Sequence, residues 1–189
     1  MNKLLLIIDA QYDFLEGGNL PVMGARENMD KLAAYIAQNE VKRVAYTLDW
    51  HPVNHASFDV NGGAWPVHCV QYTHGASVYE PVHEAVSKKM AAEDVKIYVK
   101  GENPGVEEYS FIQNDDNREM FSVSMDCEGG IDVIEVCGIM SRVCVLNTIK
   151  DLVKCGYKEK LVVKLDFIGA DDDNKELMEY CQSEGVAMD

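Results

Sequence analysis

Basic residues are scarce in this sequence. It has 17 lysines and arginines against 32 aspartates and glutamates, which gives a formal net charge of −15. A surface of this sign repels phosphate backbones and anionic lipid headgroups, so we expect neither a nucleic-acid partner nor a membrane partner. Long apolar runs are missing as well, and no stretch approaches the ~20 apolar residues of a membrane-spanning helix.

A secretion signal and a disulfide pattern are also missing. The opening MNKLLLIIDAQYDF has a short apolar run that Asp9 and Asp13 interrupt early, unlike a signal peptide. The six cysteines include no CxxC pair and no small-scaffold spacing. We therefore expect a cytoplasmic protein with reduced thiols, most of them inert and buried.

Strand-like and helix-like segments alternate along the chain, without repeats or linkers, and the length of 189 residues predicts a single domain, 1–189. Repeated β-then-α units predict a three-layer α/β/α fold with a mostly parallel central sheet. The predicted strands are residues 3–9, 44–49, 96–100, 131–139 and 160–165, and the predicted helices are residues 26–39, 79–93, 141–155 and 175–184.

Four chemically capable side chains follow the predicted strands at their carboxyl ends. Asp9, Asp49 and Lys100 each end a strand, and Cys144 lies just beyond another. Ligands of open parallel sheets bind outside the carboxyl ends of the strands, which all lie along one edge. We therefore expect these four residues to share one site.

Cys144 is the candidate nucleophile of this site. It lies in the first turn of a predicted helix, where the backbone amides can favour a thiolate, and the preceding turn can offer amides to an oxyanion. A buried cysteine that packs as a small apolar residue is the alternative. Asp9 is the candidate base and Lys100 the candidate stabilising cation; their alternatives are a turn residue and a solvated strand end.

A second group combines a carboxylate with imidazoles. Alternation along an extended segment puts Asp49 and His51 on one side, and His68 follows in the next segment. One carboxylate and two imidazoles suit an open site for zinc, iron or manganese. His55 is near enough in sequence to be a fourth ligand.

These motifs resemble those of the cysteine hydrolases of the isochorismatase-like superfamily and, among them, the nicotinamidases, also called pyrazinamidases. DWHP together with WPxHC points to the nicotinamidases, and the resemblance spans nearly the whole chain. The matching segments are IIDAQYDF at 7–14, DWHPVNHASF at 49–58, WPVHCVQ at 65–71, KGENPGVEEYS at 100–110 and CGIMSRVCVLNTIKDLVKCGY at 137–157.

The resemblance implies a catalytic triad with Asp9 as base, Lys100, and Cys144 as nucleophile. It implies a non-proline cis peptide between Ile139 and Met140, and an oxyanion hole formed by the backbone amides of Met140 and Cys144. The implied reaction converts nicotinamide, or pyrazinamide, to the acid and ammonia through a thioester. The implied partner is thus a small amide, and the implied role is NAD salvage.

The resemblance also implies a metal and a pocket. One divalent ion, zinc before iron or manganese, would accept the pyridine nitrogen of the substrate. The implied ligands are Asp49, His51 and His68 with His55 as a variable extra ligand, and the implied pocket residues are Phe14, Trp65 and Tyr109.

Two segments depart from the family pattern. Before the cysteine the family commonly has a small residue, threonine and aspartate, whereas this chain has Met140, Ser141 and Arg142; residues 166–173 also match poorly. A sister amidase that needs no metal and a non-catalytic binding relative therefore stay open, although the metal group argues against the first and the triad against the second. Isochorismatases lack the cysteine. A homo-oligomer stays open too, since no interface pattern is visible.

Overall fold

A parallel sheet forms the centre of the computed structural model, which describes residues 1–126 and 130–189. Six strands of the described chain build it: β1 (Lys3–Ile8), β2 (Val44–Asp49), β3 (Val95–Lys100), β4 (Val133–Ile139), β5 (Leu161–Gly169) and β6 (Ala187–Met188). Their order is β3-β2-β1-β4-β5-β6, and every neighbouring pair is parallel. The predicted α/β fold is confirmed, with a sheet that is entirely parallel.

Helices flank this sheet: α1 (Ala25–Gln38), α2 (Glu80–Ser87), α3 (Asp115–Asp126), α4 (Leu146–Lys154) and α5 (Lys175–Glu184). The apolar spacing predicted for α1 is confirmed, because it buries Met29, Leu32 and Ile36 along one side. Within the described ranges, no helix has the length and apolarity needed to cross a membrane. The single-domain assignment stays a prediction.

The central strand β1 provides a rigid base for the site. It lies between β2 and β4, and residues 5–8 are essentially fully buried. Because β2 and β4 pair with its two edges and helices pack against the sheet, β1 has no face toward water, which explains its continuous apolar run. Burial of each such leucine or isoleucine contributes roughly 1.5–3 kcal/mol, so the strand end that carries Asp9 is firmly held.

Three predicted elements differ in their bounds by more than two residues at one end. The helix predicted over 79–93 ends at Ser87, and the two residues that follow, Lys88 and Lys89, are exposed. The strand predicted over 160–165 continues to Gly169, past a register shift between β4 and β5. Lys164 and Asp166 interrupt the apolar run in this segment, so the sequence does not indicate that the strand continues. The helix predicted over 141–155 splits into a short turn and α4.

Two elements were not predicted. Helix α3 buries only Asn117, Phe121 and Met125, too narrow an apolar side to be evident among its acidic and polar residues. Strand β6 has only two residues, and its pairing with β5 holds the end of the chain against the sheet. Neither element contributes a side chain to the predicted site.

Candidate active site

The carboxyl edge of the sheet brings Asp9, Asp49, Lys100 and Cys144 together, and all four are buried. The Lys100 ammonium is at the centre. Its Nζ is 2.9 Å from Asp9 Oδ2 and 3.6 Å from Cys144 Sγ, and it also forms an ion pair with Asp49 Oδ1. Carboxylate oxygens of Asp9 and Asp49 lie within 4.8 Å of the Cys144 sulfur. The predicted convergence of these four residues is therefore what the structure shows.

Strand register explains this convergence. Asp49 and Lys100 are paired positions at the ends of β2 and β3. Asp9 follows β1 directly, and its N–H donates to the Thr47 carbonyl at 3.1 Å. The Thr47 hydroxyl then donates to Asp9 Oδ1 at 2.6 Å, which fixes the carboxylate. Asp9 has a φ of +48°, a backbone conformation that is uncommon outside glycine and concentrated at functional sites.

Burial and neighbouring charges drive the two carboxylates apart in pKa. Burial raises the pKa of Asp9 above its usual range, Lys100 opposes this effect, and Asp49 adds to it. Burial acts on Asp49 in the same direction, but Lys100, His51 and His68 hold the pKa of Asp49 well below its usual range. Asp49 is thus the permanently ionised carboxylate, whereas Asp9 is the one suited to accept a proton.

The Cys144 turn has the predicted cis peptide. The bond between Ile139 and Met140 is cis, as the family resemblance implied. The chain then makes one π-helical turn, Ser141–Val145, before α4 begins. The N–H groups of Val143 and Val145 both donate to the Met140 carbonyl at 3.1 Å, which closes this turn around the cysteine.

The expectation that the helix start lowers the pKa of Cys144 is wrong for this environment. Burial raises the pKa of the Cys144 thiol well above its usual range; Lys100 opposes this rise, while Asp9 and Asp49 add to it. The thiol is only 6% exposed, so water cannot solvate a thiolate there. These effects favour a neutral Cys144 thiol, and the Asp9 carboxylate lies within 4.8 Å of its sulfur.

Arg142, which stands where the family commonly has aspartate, is not part of this cluster. Its guanidinium makes a bidentate ion pair with Asp171, with N–O distances between 2.7 and 3.0 Å. It does not line the cavity at Cys144. Arg142 therefore tethers the Ser141–Val145 turn to the loop before α5.

The second predicted group also converges. Asp49 Oδ2 is 3.7 Å from both His51 Nε2 and His68 Nε2, and the three residues are buried. Ligand atoms about 2.0–2.1 Å from one tetrahedral metal ion lie at comparable separations from one another. The donor set therefore fits a divalent metal with at least one open coordination position.

Backbone carbonyls orient the two imidazoles. His51 Nδ1 is 3.2 Å from the Gly101 carbonyl, and His68 Nδ1 is 2.7 Å from the Pro66 carbonyl. With Nδ1–H donating to these oxygens, each Nε2 lone pair is free for a metal. Gly101 is itself held by Glu108, whose carboxylate accepts its N–H at 2.8 Å.

His55 is placed differently. Its Nδ1 is 2.6 Å from the Ser57 hydroxyl, and its Nε2 is 3.0 Å from the Val106 carbonyl. Its ring packs 4.3 Å from that of His51, between centroids. Both nitrogens thus have partners outside the group formed by Asp49, His51 and His68, and His55 supports the loop around the site in this arrangement.

A small cavity joins the two groups. All three predicted aromatic residues line it, with Asp49, His68, Met140 and Cys144. Trp65 Nε1–H donates to the Tyr109 hydroxyl at 3.2 Å, and the ring centroid of Phe14 lies 5.6 Å from that of His68. Sequence reasoning did not identify the remaining lining residues, Leu20, Glu107 and Val143.

Two supporting residues were also missed. The Gln11 amide accepts the N–H of Asp49 at 2.9 Å and donates to its carbonyl at 2.8 Å, which fixes the end of β2. The Asp13 carboxylate accepts the N–H of Cys69 at 2.7 Å and so holds the turn next to His68. Both are polar residues within five positions of the end of the buried strand β1, and this was the available signal.

Comparison with known proteins places this arrangement in a family. No family model matches the chain. The nicotinamidase of Escherichia coli (strain K12) is 32% identical over 180 residues, which cover 85% of this chain and 80% of the relative. A crystal structure of PnC1 from L. infantum in complex with nicotinate has a TM-score of 0.84 at 28% identity, covering 99% of this chain and 91% of that one. The pyrazinamidase of Pyrococcus horikoshii in complex with zinc has a TM-score of 0.81 at 28% identity, covering 100% and 99%.

Fold and comparisons together define a class, the isochorismatase-like α/β hydrolases. Within that class, the chain belongs to the nicotinamidase/pyrazinamidase family.

Proposed function

We infer that this chain is a nicotinamidase that converts nicotinamide, and also pyrazinamide, to the carboxylic acid and ammonia. The observation that carries this inference is the shared cavity: the Cys144 thiol and the ligand group of Asp49 and His68 line the same small aromatic space. A flat heteroaromatic amide has two functional ends, a ring nitrogen and a carboxamide. In one small cavity, the proposed metal ligands face the ring nitrogen and the Cys144 thiol faces the carboxamide.

The first half of the proposed reaction forms a thioester. Asp9 accepts the Cys144 proton, and the sulfur attacks the carboxamide carbon. The N–H groups of Met140 and Cys144 stabilise the resulting oxyanion. The C–N bond then breaks, and the leaving nitrogen takes the proton from Asp9 and departs as ammonia.

The second half regenerates the thiol. Asp9 accepts a proton from water as the water oxygen attacks the thioester carbon, and the C–S bond breaks to release nicotinic acid, which loses its remaining acidic proton to solvent and becomes nicotinate. The sulfur recovers its proton from Asp9. Lys100, whose pKa is well above its usual range because Asp49 and Asp9 outweigh the lowering effect of burial, stays charged throughout and stabilises the sulfur and both carboxylates.

We propose that Asp49, His51 and His68 hold one divalent metal ion. Zinc is our first choice because the Pyrococcus horikoshii relative was crystallised in complex with zinc, and iron and manganese also suit these ligands. When bound, such an ion supplies an open coordination position for the ring nitrogen of the substrate. Because both nitrogens of His55 have other partners, the proposal takes three protein ligands.

We place the reaction in the cytoplasm, in the salvage of nicotinamide for NAD. The test of the activity is ammonia release from nicotinamide by the purified, metal-loaded chain, with Cys144→Ala and Cys181→Ala in parallel. Cys181 is buried on α5, away from the cavity, and serves as the matched control. We expect release by the wild type and by Cys181→Ala only. No release by the folded, metal-loaded wild type would contradict the proposed function.

A further inference from the structure

One carboxylate at the mouth of the cavity has no counter-charge. Glu107 lines the same cavity as Cys144 and Trp65, yet it is exposed. Across residues 1–126 and 130–189, no lysine or arginine pairs with it. Glu107 is thus a free negative charge between the cavity and solvent.

The neighbouring Glu108 has a different environment. It is 8% exposed, and its carboxylate accepts the Gly101 N–H beside the metal ligands. A structural role accounts for Glu108. No hydrogen bond or ion pair of the described chain accounts for Glu107, whose only evident influence is its charge.

The proposed reaction changes the charge of its ligand. Nicotinamide enters neutral, whereas nicotinate must leave as an anion from a buried site next to the Lys100 ammonium and a divalent metal. Those positive groups attract a carboxylate, and this attraction slows release of the product. A negative charge at the mouth acts in the opposite direction on the anion and has little effect on a neutral amide.

We propose that Glu107 is a specificity-determining residue that weakens the binding of anionic carboxylate ligands and so favours release of the acid product. The proposal rests on the proposed function, since it concerns the product of that reaction. It adds a distinct role for a residue outside the predicted triad.

The experiment measures Kd by calorimetry for nicotinate and for nicotinamide, with metal-loaded protein in the Cys144→Ala background, where the amide is not consumed. Glu107→Gln should lower the ratio of the nicotinate Kd to the nicotinamide Kd by about threefold at low salt, the size expected for one charge several ångströms away in a water-like dielectric. In ~1 M salt, where the Debye length is about 3 Å, the difference between the two variants should largely vanish.

Two further variants separate charge from shape. Glu107→Asp keeps the charge and should keep the wild-type ratio. Glu102→Gln removes an exposed acid from the same loop that does not line the cavity, and should leave the ratio unchanged. An unchanged ratio in Glu107→Gln, an equal shift in Glu102→Gln, or a shift that high salt does not reduce would overturn the role of Glu107. If ammonia release from nicotinamide by the wild type is intact, that outcome leaves the proposed function standing. If the wild type neither releases ammonia nor binds either ligand, both proposals fail.

Discussion

Asp49 and Lys100 form a buried ion pair across the ends of the adjacent strands β2 and β3. Asp49 uses one oxygen for this pair and directs the other toward His51 and His68, at 3.7 Å from each Nε2. A single carboxylate therefore links the predicted catalytic group to the predicted metal group. Any change at Asp49 should affect both.

The first prediction concerns the stability contributed by this pair. Asp49→Asn leaves a buried ammonium with one carboxylate instead of two, and loss of a partner from a buried ion pair costs about 3–5 kcal/mol. Because Asp9 remains beside Lys100, we expect the lower end of that range, measured as the free energy of unfolding in urea without metal. Glu27→Gln, which breaks the exposed pair between Glu27 and Lys31, is the control and should have no measurable effect. Equal effects of the two substitutions would show that the Asp49–Lys100 pair contributes nothing.

The second prediction concerns thiol reactivity. Since burial raises the pKa of Cys144, its reaction with a small alkylating amide should depend on Asp9 as the base. Asp9→Asn should slow alkylation of Cys144 by roughly a hundredfold or more, the lower end of the usual range for loss of a general base. Peptide mass spectrometry can follow it beside Cys155, which is exposed and provides an internal reference in the same molecule. A Cys144 rate that is unaffected by Asp9→Asn would remove Asp9 from the mechanism.

The third prediction concerns the triad as a unit. Cys144→Ala should lower kcat for nicotinamide by roughly a thousandfold or more, and residues that act together are strongly non-additive. The double variant Asp9→Asn with Cys144→Ala should therefore be little slower than Cys144→Ala alone. Steady-state ammonia release, corrected for the uncatalysed background, measures both. Losses that multiply would mean that Asp9 acts independently of the thiol.

The fourth prediction uses a position where only glycine fits. Gly101 has a φ of +72°, and a Cβ placed there would overlap the His51 ring. Gly101→Ala should therefore displace His51 and reduce bound metal without removing any ligand. Gly105→Ala, in the same loop, is the control, since the nearest atom to its Cβ is Asn103 Oδ1 at 3.7 Å. Metal content by mass spectrometry and circular dichroism check the outcome, and a fully metallated, folded Gly101→Ala would contradict this view of the His51 position.

Much of this arrangement could be predicted from the sequence, for a physical reason. Parallel strands align their carboxyl ends, so Asp9, Asp49 and Lys100 were expected along one edge once their strands were correctly identified, and the strand order then places them side by side. The cis bond at Met140 depended on family resemblance, since nothing in local residue preference indicates it. The raised pKa of Cys144 could not be predicted, because it depends on burial and on two carboxylates that come close only in the folded chain.

The supporting contacts were beyond sequence reasoning for a related cause. Gln11 binds the backbone of Asp49, 38 residues away, and Glu108 binds the backbone of Gly101, seven residues away in the same loop; no spacing rule encodes such contacts. His55 was expected only as a variable extra ligand, and in the folded chain Ser57 and Val106 take both of its nitrogens. Helix α3 escaped notice because tertiary packing, rather than a broad apolar side, fixes it.

The most direct test of the central claim compares two amides. Nicotinamide and benzamide have nearly the same shape, but benzamide lacks the ring nitrogen that an open metal position at Asp49, His51 and His68 would accept. Sites built for one polar contact strongly reject an analogue that lacks it, so kcat/KM for benzamide should be lower by roughly a thousandfold or more. Removal of the metal by a chelator should reduce nicotinamide turnover and narrow that gap. Equal kcat/KM values for the two amides with metal-loaded protein would contradict the account, even if Cys144 remains essential.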